Sequence, residues 1–130
     1  MTATAFEHLQ QALKQQQGLA FALLVGSRAT GTERPDSDWD IAIAWLPEVD
    51  GYRALGDTES LRRHLARALN LPETAIDLID LRRANLAMRA SVADEGRPLL
   101  IVDELGWARF LKRTWRDLED FEWERHLRES

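Results

Sequence analysis

The run Leu19–Val25 (LAFALLV) is apolar at every position and ends abruptly at Gly26-Ser27. It is too short for a typical helix, so it reads as a strand buried on both faces. Such a strand must lie inside a sheet whose two sides are both covered, and the rest of the chain has to supply neighbouring strands and helices in layers.

The remaining sequence fits that demand. Phe6, Leu9, Ala12 and Leu13 recur at helical spacing, with Gly18 placed to stop the helix. From Asp38 to Trp45 the period is two: Trp39, Ile41, Ile43 and Trp45 share one face, and Asp38, Asp40, Ala42 and Ala44 share the other. After a loop containing Pro47, Gly51 and Gly56, Leu61, Leu65, Ala68 and Leu69 predict a helix ending near Asn70 and Pro72. Ala75–Leu81 (AIDLIDL) predicts a third strand, Ala84–Glu95 a helix closed by Gly96, and Pro98–Val102 a small edge strand. The last segment predicts a long amphipathic helix with Trp107, Leu111, Trp115, Leu118 and Phe121 on its apolar stripe. The expected class is therefore α/β (α+β), a small mixed sheet flanked by helices, and 130 residues imply one domain spanning 1–130.

The absence of cysteine removes thiol chemistry and disulfides. No stretch resembles a signal peptide or a membrane span, so a soluble, cytoplasmic protein without membrane contact is expected. The net charge of −5 argues against direct DNA or RNA binding, which draws on clustered Lys and Arg. A nucleotide can still be handled if metal ions supply positive charge.

Gly26-Ser27 followed by Asp38-Trp39-Asp40 carries the chemistry. Carboxylates at i and i+2 of a strand converge on one volume, with Cα atoms roughly 6.5–7 Å apart. Their repulsion is relieved by a divalent cation, and all-oxygen ligands suit Mg²⁺ or Mn²⁺. Two such ions can stabilise the attacking and leaving oxygens of a phosphoryl-type transfer. A third carboxylate is normally needed, and AIDLIDL offers Asp77 and Asp80. A strand ending in Gly-Ser can turn tightly and present N–H groups and a hydroxyl to phosphate, although the segment lacks the lysine of a P-loop.

GSRATGTERPDSDWDIAI resembles the signature of the DNA polymerase β-type nucleotidyltransferase superfamily, and AIDLIDL resembles its third acidic strand. The chain is most similar to the minimal nucleotidyltransferase (MNT) antitoxins of HEPN–MNT toxin–antitoxin pairs. That resemblance implies transfer of AMP from Mg-ATP to a tyrosine of a cognate HEPN ribonuclease. It also implies that Gly26 and Ser27 hold the triphosphate, that Asp38 and Asp40 bind metal, and that Asp77 rather than Asp80 completes the catalytic and metal-binding set. Two other outcomes are transfer to a small-molecule hydroxyl, as on an aminoglycoside, and antitoxin action by occlusion without catalysis.

Other polar residues have plainer roles on the same reading. Asp80 is assigned to capping a helix that begins near Arg82. Arg28 and Arg34 border the loop but are left as solvated side chains, and His8, His64 and His126 are placed on the surface. Trp39 and Trp45 should pack under helices. Trp107 and Trp115 are assigned to the core, and Trp123 to an interface.

Overall fold

In the computed structural model, which describes residues 4–129, the doubly apolar strand lies where its composition requires. β1 (Leu19–Val25) is buried along its whole length. It pairs antiparallel with β2 (Trp39–Trp45) on one side and with β4 (Arg97–Ile101) on the other. β3 (Ile76–Asp80) runs parallel to β2, giving the order β3-β2-β1-β4. A parallel neighbour needs a crossover, and α3 (Gly51–Leu69) supplies it.

Period-two alternation in β2 divides the core into two layers. Ile41, Ile43 and Trp45 face α1 (Ala5–Lys14) and α3, where Leu9, Leu13, Leu61 and Leu65 are fully buried. Ala42 and Ala44 face α4 (Leu86–Glu95) and α5 (Glu104–Glu129), packing with Phe21, Leu23, Val92 and Phe110. The Trp45 indole N–H finds the Thr58 hydroxyl at 3.2 Å, so burial leaves no donor stranded.

Caps define the helix starts. Thr4, Asp50 and Asn85 each accept a hydrogen bond from the backbone N–H three residues on. The cap at Asp50 starts α3 well before Leu61, and Gly51 and Gly56 lie within the helix rather than in the expected loop. Gly56 is on an exposed turn, where glycine costs only about 1 kcal/mol relative to alanine. Asn70, in the left-handed conformation at φ 55°, ends the helix as expected.

The apolar stripe of α5 is rotated from the expected one. Trp107 packs edge-on against Phe21 at 5.1 Å and stacks on Phe110, and the buried line continues through Phe110 to Thr114. At about 3.6 residues per turn, Trp115 falls beside that line and is 39% exposed, and Phe121 is 51% exposed. Both were assigned to the packed stripe and neither is in it. Residues 119–129 are exposed throughout. No helix among the described residues is long and apolar enough to cross a membrane.

Leu65→Ala removes a fully buried side chain between α3 and the sheet and is expected to cost about 2–5 kcal/mol. Urea unfolding should show a lower midpoint with an unchanged slope. Leu55→Ala, on an exposed turn of the same helix, should stay within about 0.5 kcal/mol of the parent.

Candidate active site

Antiparallel pairing of β1 and β2 sets Val25 opposite Asp40, so the C-terminal end of one strand adjoins the N-terminal end of the other. The next residue, Gly26, adopts φ 70° and caps the four-residue helix α2 (Ser27–Thr30). A Cβ at this position would collide with the Asp40 carboxylate. Glycine is therefore required twice, for the left-handed turn and for the approach of the acid. The first N–H groups of α2 lack intrahelical partners and begin beside that carboxylate.

The parallel register of β2 and β3 brings in the next acid. Asp40 pairs with Asp77, Ile41 with Leu78 and Ala42 with Ile79, so Asp40 and Asp77 are neighbours on one side of the sheet. Asp38 immediately precedes β2, is exposed like Asp77, and is joined to the pair electrostatically. Burial, followed by the charges of Asp77 and Asp38, pushes the Asp40 carboxyl above its ordinary value. Asp80 is one register position past Ile79 and accepts the Arg82 N–H at 2.9 Å. It caps the turn after β3, whereas the helix beyond is capped by Asn85.

The donor set suits a hard divalent cation: three carboxylates, none engaged in a hydrogen bond or ion pair among the described residues. The same residues contain no group of three or more acidic, His or Cys side chains gathered tightly enough to hold a metal by themselves. Magnesium shells are commonly completed by substrate phosphate oxygens and water.

Two features were not anticipated. Arg28 does more than sit in solvent. Its Nε and Nη2 donate to the Ser37 carbonyl at 3.2 and 2.8 Å, and its guanidinium lies 4.1 Å from the centre of the Trp39 ring. These contacts tie α2 to the residues on either side of Asp38, and the Ser37 hydroxyl accepts the Arg34 N–H at 2.8 Å. An arginine two residues after the glycine and an aromatic between the two acids were the available signals. His64 is not a surface residue either: it is half-buried, with Nε2 enclosed and unpartnered.

A family model for polymerase β nucleotidyltransferases matches residues 7–105. The chain belongs to that family. Its architecture is the nucleotidyltransferase fold, as solved structures also show. One chain of a toxin–antitoxin crystallised with AMP-PNP is 25% identical, with 94% of this chain and 93% of that one covered and a TM-score of 0.71. A chain of the Shewanella oneidensis complex between a tri-AMPylated HEPN toxin and an MNT antitoxin superposes at TM-score 0.66, with 22% identity and coverage of 95% and 91%. An MntA–HepT toxin–antitoxin chain gives 0.62, with 24% identity and coverage of 95% and 92%. No curated protein sequence matches the chain.

The raised Asp40 carboxyl makes the protein's stability sensitive to pH in a defined direction. In the folded state the proton is held more tightly than in the unfolded chain, so ionised Asp40 detracts from stability at pH values above its folded pKa. The penalty shrinks as pH falls through that value and vanishes below the ordinary aspartate range. Asp40→Asn should therefore unfold at a higher temperature than the parent at pH 7 without divalent cations, and the gap should close on acidification.

Proposed function

We propose that residues 1–130 act as a single minimal nucleotidyltransferase domain, an antitoxin that transfers AMP from ATP to a tyrosine of a cognate HEPN ribonuclease. The observation that carries this reading is the corner where Gly26 abuts Asp40 while Asp40 stands in register with Asp77. That corner joins a phosphate-binding turn to a carboxylate pair. Support also comes from the AMP-PNP-bound toxin–antitoxin and the tri-AMPylated HEPN toxin complex among the structural relatives.

On this reading Gly26 and Ser27 hold the triphosphate through backbone N–H groups and the Ser27 hydroxyl. Asp38, Asp40 and Asp77 would hold Mg²⁺ or Mn²⁺, which supplies charge neutralisation for the phosphates and the departing pyrophosphate. Asp77 receives the proton of the acceptor hydroxyl as that oxygen bonds to the α-phosphorus. The bond from the α-phosphorus to its bridging oxygen breaks, and pyrophosphate leaves. Most of the catalysis is positioning and electrostatics. Arg28 contributes by fixing Asp38 relative to α2 through Ser37 and Trp39. A soluble protein working in the cytoplasm fits this reading.

The test is incubation with labelled ATP, Mg²⁺ and the product of the adjacent gene, for which this reading expects a HEPN protein. Label on a tyrosine of that protein is the expected result, falling by about 100-fold or more in Asp38→Ala, Asp40→Ala and Asp77→Ala. Asp80→Ala should retain near-parental transfer. Neutralisation of the HEPN ribonuclease that survives Asp40→Asn would replace catalysis by occlusion, and label appearing only on an added aminoglycoside would move the acceptor to a small molecule.

A further inference from the structure

Helix α5 extends beyond the body it packs on, and between residues 105 and 124 its charge is divided into two blocks, followed by the mixed end that carries the Arg125–Glu129 ion pair. Residues 105–116 contain Arg109, Lys112, Arg113 and Arg116 and no acid. Residues 117–124 contain Asp117, Glu119, Asp120, Glu122 and Glu124 and no base. Arg109, Arg113, Arg116, Asp120 and Glu124 follow one another at steps of three and four and so share one helical face. Like charges at this spacing repel. Among the described residues none of the four cations forms an ion pair, nor do Asp120 and Glu124.

Beside the basic block opens a cavity of about 540 Å³, floored by Phe21 and Phe110 and rimmed by Arg109, Lys112, Arg113 and Arg116. The acid in its lining, Asp103, is engaged by the Gly106 N–H at 2.9 Å. The cavity lies at the Ala20 and Trp45 end of the central strands, away from the Asp40 corner. This lining suits an anionic group that carries an apolar one. Residues 117–124 have both properties, with five acids, no base and Trp123 61% exposed. A nucleic acid strand would have to lie beside that acidic block on a chain of net charge −5.

We propose that α5 is a homodimer interface, in which two copies pair these helices antiparallel about a two-fold axis near Arg116 and Asp117. Such an axis sets Arg109 against the second copy's Glu124 and Arg113 against its Asp120. Each contact occurs twice, as an isologous interface requires. The family model ends at residue 105, so this face lies outside the matched segment, and the proposal does not depend on the transfer reaction.

Sedimentation or light scattering over a concentration series, at low and high salt, tests it. The parent should dimerise and weaken as salt rises. Arg113→Glu and Asp120→Arg should each raise the dissociation constant about tenfold or more. The double variant Arg113→Glu/Asp120→Arg should restore the parental value, and the far-UV circular dichroism of all variants should match the parent's, since both side chains are exposed and the fold of each copy does not rest on them. A parent that remains monomeric at low salt overturns the proposal, including the case where the same face binds only a HEPN-type partner. So does a dimer indifferent to the single substitutions, or a double variant that fails to recover.

Discussion

The contact between Gly26 and Asp40 is the constraint on which the arrangement turns. β1 must end beside the start of β2 because the two strands pair with Val25 opposite Asp40. The turn leaving β1 must then pass against a carboxylate without a side chain of its own. The helical N–H groups and the acids thus meet at one sheet corner. β3 reaches the same corner through its register, and Arg28 keeps the intervening loop from drifting away.

Crowding acids at that corner works against folding. Asp40 is partly removed from water next to two like charges, without a hydrogen bond to compensate it among the described residues. Elsewhere the chain avoids this cost. Arg89 pairs with Asp117 at 3.1 Å between α4 and α5, and Arg62 donates to the Ile76 carbonyl at 2.8 Å just before Asp77. The contrast marks the corner as a place where uncompensated charge detracts from stability, which is where functional groups tend to cluster.

Most of the architecture was legible in the residues because burial imposes a period. The apolar run of β1 and the alternation of β2 located both strands within a residue, with Asp38 falling just before β2 instead of within it. Nucleotidyltransferase membership was legible as a resemblance of GSRATGTERPDSDWDIAI and AIDLIDL to the family's signature, and the family model over residues 7–105 bears it out. The departures arose where no period exists or where it is weak. The first turns of α3 face solvent and contain two glycines, so only the cap at Asp50 marked their start. Trp115 was drawn into the stripe by its size, although its angular position is at the rim. Arg28 and His64 depend on tertiary neighbours, which local sequence does not encode. The gathering of the three acids is read from register and electrostatics, not from a closed shell.

The parallel pairing of β2 with β3 also shapes how the protein is made. Asp40 and Asp77 are adjacent in the sheet but separated along the chain by the 19-residue α3. Loop-closure entropy must be met before that contact returns any energy, so such pairings form late. A nascent chain that has emerged only as far as β2 holds the Gly26 turn, Asp38 and Asp40, and gains Asp77 beside them only once the crossover has docked.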